Sequence, residues 1–555
     1  MSLEKILGGL NAEQLEAVKA SSSVVVTAGA GSGKTKVLAS RFAYLIIEKG
    51  LKVDEILTLT FTNKATNEMY SRIYKLLSGE KDIASRTAAR DFYKAKIQTL
   101  DSFCAEICAL ASARYGIKSD FSTDTEAVSG MAKEAALSFV LDNRGRQGIK
   151  ALITDNKILD IAEKLFAEIA INYGSITNPL PFDVYIKKQQ SELCEKWCLY
   201  SAKVKSMVEL IKEELPSVKN VKTKTYQDFS KVFNDELYLV YPNAETLFSA
   251  DDSVKTEIDI FCNFIKDLSS INSLRKIGNA KGMDVIRDVH GDFKDNVYPQ
   301  MIKIAAMLLQ FDDVHDIFSL LNEFQESFNN QKRISGMLTF NDVAELALTI
   351  LKKESDILNI YKDKIKAIMI DEFQDNNELQ RDLLFLLGNE NIFFVGDQKQ
   401  SIYRFRGADV AVFKKLNAAV KKNIMLKINY RSSAVLIEAF NGIFDEVFLK
   451  KSDALPDFEA EYEPLSASFA LDETKAARAF ICLLDKEGLS ADVNYCAEDI
   501  EAAFIAEKIR RMVDGEYQIR DKETGGFRAC SYGDFAVLER SVNRQHNLEK
   551  QFRAF

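Results

Sequence analysis

The chain has 555 residues, of which 47% are hydrophobic and 28% are charged, and its formal net charge is −9. This length calls for two or more domains, and the composition excludes a chain that is mainly disordered. Only 7 prolines and 25 glycines occur, so helix-breaking residues are scarce and long helices are expected. The acidic excess argues against a passive nucleic-acid coat protein, although it is compatible with an enzyme that grips a strand in one local groove.

Membrane, secretory and metal-binding classes find little support in the sequence. No run of about 18 apolar residues is present, and the first 25 residues lack the pattern of a secretory signal. The 8 cysteines are dispersed and only 3 histidines occur, which favours buried thiols over metal ligands. We therefore expect a cytoplasmic protein with no membrane partner.

Short apolar strands alternate with amphipathic helices at both ends of the chain. Strands are predicted at residues 24–27, 56–60, 96–100, 367–370, 392–395, 479–484 and 534–538. Helices are predicted between them at residues 35–47, 64–77 and 501–513. This alternation is typical of an α/β fold, with a parallel sheet covered by helices on both faces.

The middle of the chain has a different, all-helical pattern. In residues 157–172 apolar side chains recur every three or four positions, and residues 191–214 and 256–268 repeat this pattern. Trp197, the only tryptophan, is predicted to be a core residue of this region. We therefore divide the chain into a first α/β domain (1–112 and 310–424), a helical insertion arm (113–309) and a partial second α/β domain (425–555).

The strongest local signal is the run Ala28-Gly29-Ala30-Gly31-Ser32-Gly33-Lys34-Thr35, directly after the first predicted strand. Glycines let the backbone wrap closely around phosphates, and the N-terminus of the following helix attracts their negative charge. Lys34 would then contact the β- and γ-phosphates, and Thr35 would coordinate Mg²⁺. The run predicts a nucleoside-triphosphate-binding loop.

Two carboxylates follow the strand at residues 367–370. Asp371 can hold the Mg²⁺ shell, and the adjacent Glu372 can polarise an attacking water molecule. An acidic helix start is the alternative for this pair, but its place after a second strand favours a catalytic role.

A third segment, residues 395–408, combines aromatic and basic side chains. Tyr403 and Phe405 alternate with Arg404 and Arg406. The nearby Gln400 could reach a γ-phosphate. Aromatic faces stack on bases without reading their sequence, and arginines hold the backbone. Composition alone leaves a plain edge strand as an alternative.

Taken together and in order, these motifs resemble those of superfamily 1 DNA helicases of the UvrD/Rep type. The resemblance covers seven ordered blocks and then weakens towards residues 532–538. The blocks are residues 10–14, 28–35, 60–65, 99–104, 371–375, 396–408 and 429–432. A RecA-like motor domain with a helical insertion and a partial second RecA-like domain is the fold that this resemblance implies.

Residue roles at an ATP site follow from the same resemblance. It implies that Gln14 recognises adenine and that Tyr430 stacks on the base. Residues 28–33, with Lys34 and Thr35, would bind the phosphates, and Thr35 and Asp371 would bind Mg²⁺. Glu372 would be the catalytic base, Gln400 would sense the γ-phosphate, and Arg431 would be the first arginine finger. It also implies a single-strand contact at Phe61, Thr62 and Asn63. The residues expected to couple nucleotide state to strand position are Tyr403, Phe405 and Arg406.

Two departures from the family pattern matter. The family usually has histidine where Asp101 stands, and an acid there would repel a phosphodiester, so that contact is in doubt. The sequence after residue 432 also lacks the last two helicase motifs, one of which carries the second arginine finger. We therefore expect an N-terminal fragment of a longer protein.

The length of the helical insertion and the local sequence at residues 336–342 are more similar to the AddA/RecB-type helicase subunits of exonuclease complexes. Those subunits carry a C-terminal nuclease and pair with a second subunit. The implied function is ATP-dependent translocation on single-stranded DNA and unwinding of partly duplex DNA, in repair or recombination. The family resemblance implies 3′→5′ polarity.

Two other functions fit parts of the pattern. Without the second arginine finger, the chain could bind nucleotide and DNA without productive turnover, because such a finger is worth on the order of 10³–10⁵ in rate in GTPases. A P-loop kinase is disfavoured, since Glu372 and Gln400 fit water activation and no acceptor-binding lid is recognisable.

Overall fold

The structure is a computed structural model that describes most of the chain. The described residues are 2–79, 82–219, 223–233, 242–243, 246–248, 252–271, 283–388, 391–404, 409–420, 422–448, 459–460, 462–468, 497–521 and 524–554. The chain divides into two compact units. Residues 1–99, 362–381 and 388–555 form what we call the sheet unit, and residues 100–361 with 382–387 form the helical unit.

Six parallel strands form the main sheet of the sheet unit. They are β1 (Val24–Ala28), β2 (Ile56–Thr60), β3 (Lys96–Thr99), β4 (Ala367–Ile370), β5 (Ile392–Gly396) and β6 (Asn423–Leu426). Their order across the sheet is β3-β2-β4-β5-β1-β6, with Val24 opposite Phe393 and Leu59 opposite Ile370. The strands β1 to β5 confirm the prediction to within one residue at each end, whereas β6 is not among the predicted strands.

The strand order brings the candidate functional segments to one edge of the sheet. Because all six strands are parallel, their carboxyl ends meet at the same edge. The glycine-rich run follows β1, Phe61 follows β2, Asp371 follows β4 and Asp397 follows β5. A parallel sheet is buried on both faces, which explains why β1, β4 and β5 are nearly continuous apolar runs.

Helices flank the main sheet along the chain. The helices of the sheet unit are Ser2–Gly8, Ala12–Val18, Lys34–Ile47, Asn63–Ser78, Ile83–Arg90, Val410–Ala419, Ala434–Val447, Ala497–Asp514 and Gln545–Ala554, and Glu378–Leu387 runs from this unit into the other. The helix Lys34–Ile47 is the most buried, because Val37 to Ile46 all lie in the core with β1 and β5. Because most of this helix is packed in the core, the position of its first turn is fixed, and so is the position of Lys34.

The helical unit is built from long amphipathic helices, as the periodicity predicts. Its helices are Leu100–Ala111, Thr125–Asp142, Gln147–Asp155, Ile158–Asp160, Glu168–Asn172, Phe182–Val218, Thr223–Phe233, Asp252–Ser270, Met283–Asp292, Tyr298–Leu309, Phe311–Ser335, Phe340–Lys353 and Ser355–Lys364, with π-helical turns at Ile161–Ala167 and Phe293–Val297. Trp197 is a core residue, since it is buried against Phe261 and its indole nitrogen donates to the Pro242 carbonyl. The predicted domain boundaries at residues 112, 310 and 424 remain predictions.

Within the helical unit, Lys332 and Asp342 form an ion pair that is completely buried. The Lys332 Nζ lies 2.8 and 2.9 Å from the two carboxylate oxygens of Asp342. Asp342 also accepts hydrogen bonds from the backbone nitrogens of Ile176 and Thr339. Burial lowers the pKa of Lys332, and the charge of Asp342 opposes that shift. Removal of either partner would therefore leave the other buried without its counter-charge.

Replacing Lys332 with methionine should leave Asp342 buried and without its cation. We expect a loss of about 3–5 kcal/mol in the free energy of unfolding, measured by urea denaturation. Lys164→Met is the matched control, because its partner Asp160 is a neighbour on an exposed helix surface. That change should cost far less, and equal losses for the two variants would contradict this account of the buried pair.

The C-terminal part of the sheet unit differs from expectation. The strand predicted at residues 534–538 is wrong: Tyr532–Asp534 is a 3₁₀ turn, and the residues after it have no regular structure. The Asp534 carboxylate accepts hydrogen bonds from Ser531 and Arg528, which closes a turn where a strand would need to extend. The strand predicted at residues 479–484 lies outside the described residues. The helix predicted at residues 501–513 is present as Ala497–Asp514.

The described residues of the sheet unit also contain two small sheets. Gln518–Arg520 pairs antiparallel with Phe527–Ala529, and Ile428–Asn429 pairs parallel with Ser466–Ala467. None of the helices in the described part of the chain has the length and apolar character that crossing a membrane would require.

Candidate functional site

The glycine-rich loop turns tightly between β1 and the helix Lys34–Ile47. Gly31 and Gly33 have φ angles of +73° and +87°, a left-handed conformation that side chains with a Cβ rarely adopt. The Ser32 hydroxyl and backbone nitrogen both donate to the Gly29 carbonyl, at 2.8 and 3.2 Å. The turn then leads directly into the first helical residue, Lys34, at the helix N-terminus.

Residues from the segment after β6 approach this loop very closely. The Tyr430 backbone nitrogen donates to the Gly31 carbonyl at 2.8 Å, and the Asn429 side-chain amide donates to the Ala30 carbonyl at 2.6 Å. A Cβ on Gly31 would lie 2.7 Å from the Cβ of Arg431. The structure therefore brings the predicted stacking residue and arginine finger next to the predicted phosphate loop, and a larger residue at Gly31 would exclude them.

Gln14 also contacts this loop. Its side-chain nitrogen donates to the Ser32 carbonyl at 2.9 Å, and it is buried at the start of the helix Ala12–Val18. Asn11 caps this helix and also donates to the Tyr430 hydroxyl at 2.9 Å. Tyr430 keeps 44% of its surface exposed. Gln14 and Tyr430, the two residues predicted to bind adenine, thus both lie near the start of this helix. Gln14 is hydrogen-bonded to the loop, and Tyr430 has a partly exposed ring.

The carboxylates after β4 face the lysine of the loop. The Lys34 Nζ lies 2.9 Å from the Glu372 Oε2 and 3.4 Å from the Gln400 Oε1. Glu372 has a φ of +52°, and such strain in a non-glycine residue costs on the order of 1–3 kcal/mol. Residues from the first turn of the helix Lys34–Ile47, from the segment after β4 and from the segment after β5 therefore converge on one point at the carboxyl edge of the sheet.

Three acidic residues that follow β4, Asp371, Glu372 and Asp375, interact electrostatically with one another and with Lys34. Burial and then the charge of Glu372 raise the pKa of Asp371 to about 6 and that of Asp375 to about 7, while Lys34 opposes both shifts. One oxygen of Asp375 is buried without a hydrogen-bond partner in the described residues. Carboxylate and hydroxyl oxygens are the ligands that Mg²⁺ prefers, and Asp371 and Thr35 carry such oxygens, so both stay predicted magnesium ligands. No hydrogen bond joins Thr35 to Asp371 in the described part of the site.

Several site residues were missed by the sequence analysis. Gln374 donates to Glu372, and Asp397 accepts from Gln400, in each case at 2.8 Å. Arg72, on the helix Asn63–Ser78, lowers the pKa of Asp371 through its charge. Gln374 and Asp397 lie inside the motif blocks at residues 371–375 and 396–408. The sequence does not show which residues they bind.

The predicted single-strand contacts begin at the same sheet edge. The rings of Phe61 and Tyr403 lie 4.7 Å apart between centroids, with an angle of 42° between their planes. Thr62 caps the helix Asn63–Ser78 through its hydroxyl, and Thr62 and Asn63 are exposed. Phe405 and Arg406 lie outside the described residues. Asp101 lies in the first turn of the helix Leu100–Ala111 in the helical unit.

The parallel sheet and the glycine-rich loop after β1 define an α/β P-loop fold with helical insertions. The model of the UvrD/REP helicase N-terminal domain matches residues 10–421, and the chain therefore belongs to the UvrD/REP helicase family.

The chain is also similar to proteins that are named as one subunit of an ATP-dependent helicase/nuclease. The protein from Staphylococcus aureus (strain USA300 / TCH1516) is 26% identical over 96% of this chain and 46% of its own length. The protein from Listeria innocua is 26% identical over 97% of this chain and 48% of its own length. The chain spans about half the length of these relatives.

Proposed function

We propose that this chain binds ATP with Mg²⁺ and uses ATP hydrolysis to move along single-stranded DNA and to unwind partly duplex DNA. The observation that carries the proposal is the convergence of Lys34, Glu372 and Gln400 at the carboxyl edge of the sheet, beside the glycine-rich loop. Membership of the UvrD/REP helicase family supports the same conclusion.

The ion pair between Lys34 and Glu372 suggests how Lys34 binds phosphate while Glu372 activates water. A bound γ-phosphate would draw Lys34 away from Glu372, because a phosphate carries more charge than a carboxylate. Glu372 is then free to accept a proton from the attacking water. Mg²⁺, held by Thr35 and Asp371, would neutralise charge that develops on the phosphate oxygens. Arg431, whose Cβ approaches Gly31, would supply a further positive charge.

The nucleic-acid strand would lie along Phe61 and Tyr403. Their rings already contact each other, so together they form an aromatic surface on which bases can stack without sequence preference. Tyr403 is three residues from Gln400, and a shift of Gln400 on γ-phosphate binding can move that surface. This short connection would couple the nucleotide state to the strand position.

The relatives from the helicase/nuclease enzymes extend the proposal. We infer that the chain acts in DNA repair or recombination, as part of a helicase–nuclease assembly with a second subunit. The alignment with those relatives covers almost the whole chain, including the helical unit, which supports this branch of the family.

The proposal is tested by measuring ATP hydrolysis with and without single-stranded DNA in single-turnover and steady-state experiments. We expect ATP to bind and its hydrolysis to be stimulated by DNA of any sequence, with a DNA affinity that falls as salt rises. Tight ATP binding without DNA stimulation would instead support a binding module without productive turnover. Transfer of phosphate to a small organic acceptor would contradict the helicase proposal.

Replacing Tyr403 with alanine should weaken single-stranded DNA binding and leave ATP affinity nearly unchanged. Loss of one stacking contact is worth about 1–3 kcal/mol, or roughly 5- to 150-fold in affinity, measured by fluorescence anisotropy. Tyr93→Ala is the matched control, because Tyr93 is an exposed tyrosine of the same unit outside the aromatic surface. Equal losses of DNA and ATP affinity in Tyr403→Ala would contradict the assigned role.

A further inference from the structure

Gln374 is a buried glutamine whose side-chain amide is bonded at both ends. Its nitrogen donates to the Glu372 Oε2 at 2.8 Å and to the Asp375 Oδ2 at 3.3 Å. Its oxygen accepts from the Asp397 backbone nitrogen at 2.9 Å. Since Asp397 directly follows β5, the amide joins the loop after β4 to the loop after β5.

The absence of a side chain at Gly396 makes room for this amide. A Cβ on Gly396 would lie 2.6 Å from the Gln374 side-chain oxygen and 2.7 Å from the Phe413 ring. Gly396 has no positive φ angle, so the requirement for glycine comes from space and not from backbone conformation. The fold thus holds the Gln374 amide in one place, between strand β5 and Glu372.

The connections through Gln374 close into a ring that includes Lys34. The Asp397 carboxylate accepts from the Gln400 side-chain nitrogen at 2.8 Å, and the Gln400 oxygen accepts from Lys34 at 3.4 Å. Lys34 and Gln374 both donate to the same oxygen of Glu372. In the described residues, the other Glu372 oxygen, Oε1, accepts no hydrogen bond.

We propose that Gln374 is a positioning residue that orients Glu372 for hydrolysis and links it, through Asp397, to Gln400. This inference rests on the proposed function. When Lys34 turns to the phosphates, Gln374 is the donor that still holds the Glu372 Oε2, and Oε1 faces the attacking water. When Gln400 turns to the γ-phosphate, its hydrogen bond to the Asp397 carboxylate breaks. Asp397 is also bonded to Gln374, so this change reaches the residue that holds Glu372.

The test compares Gln374→Met with a matched control, Gln380→Met. Methionine has about the volume of glutamine but cannot donate, and the Gln380 amide oxygen accepts from the Asn377 backbone, away from Glu372. In Gln374→Met we expect kcat for DNA-stimulated ATP hydrolysis to fall by roughly 10- to 100-fold, with KM for ATP changed by less than about twofold. Gln380→Met should keep both constants.

A second comparison separates positioning from general damage. In a Glu372→Gln background, adding Gln374→Met should cause no further fall in the single-turnover rate, because the two residues act as one unit. A further fall of the same size in the double variant, or an unchanged kcat in Gln374→Met alone, would overturn the inference about Gln374. DNA-stimulated hydrolysis by the wild type would still support the proposed function. A wild-type chain that binds ATP but never hydrolyses it would overturn both.

Discussion

Glu372→Gln is expected to slow ATP hydrolysis severely while ATP still binds. A glutamine is nearly isosteric with glutamate, so it can occupy the same strained position after β4, but it cannot accept a proton from water. General-base catalysis contributes on the order of 10²–10⁴-fold, and we expect a loss of that size in the single-turnover rate. ATP affinity, measured with a fluorescent analogue, should stay the same or increase, because the carboxylate that competes for Lys34 is gone.

Glu378→Gln is the control for this variant. Glu378 stands six residues further along the chain, pairs with Lys415 and is exposed. Hydrolysis should be unaffected there. If Glu372→Gln hydrolysed ATP at the wild-type rate, another group would have to be the base, and the assignment made from the ion pair with Lys34 would be wrong.

Lys34→Ala is expected to have the second large effect, and it should act on binding. The lysine sits at the N-terminus of a helix whose next turns are buried, so its position beside the loop is fixed by the core. Charge-assisted hydrogen bonds to phosphate contribute about 1.5–3 kcal/mol, and loss of the lysine also leaves Glu372 facing the phosphates unpaired. We expect ATP affinity to fall on the order of 100-fold or more, below detection at concentrations that saturate the wild type.

Lys49→Ala provides the comparison for the loop lysine. Lys49 follows the C-terminal end of the same helix and is exposed, so its replacement removes the same charge far from the loop. ATP binding should be retained in that variant. An affinity in Lys34→Ala that matched the control would mean that the triphosphate binds elsewhere.

The sequence predicted local features of this fold well because they depend on short-range patterns. The strands β1, β4 and β5 are nearly continuous apolar runs, and the loop after β1 needs glycine at Gly31 and Gly33 for its left-handed turns. The edge strand β6 was missed because only two of its four residues are buried, so its pattern is weak. The strand predicted at residues 534–538 was wrong because the hydrogen bonds of Asp534 close a turn there.

The candidate site was predictable in part for the same reason. Motif order indicated that Lys34 and Asp371 belong to one pocket, but nothing in the residue pattern showed that Gln374 bridges Glu372 and Asp397. That bridge depends on the space left by Gly396 and on the pairing of β4 with β5. Likewise, the contact of Asn429 with the Ala30 carbonyl joins residues 399 positions apart. Contacts of this kind come from tertiary structure and are invisible to local periodicity.

We expect a triphosphate to lie in the loop ending at Lys34, with its metal on the side of Asp371. The most direct measurement is a crystal structure of the chain with a non-hydrolysable ATP analogue and Mg²⁺. We expect the phosphates to lie against residues 29–34, the metal to be bound by Thr35 and Asp371 directly or through its waters, and the base to lie beside Tyr430. A triphosphate bound away from this loop, or a metal remote from Asp371, would contradict it.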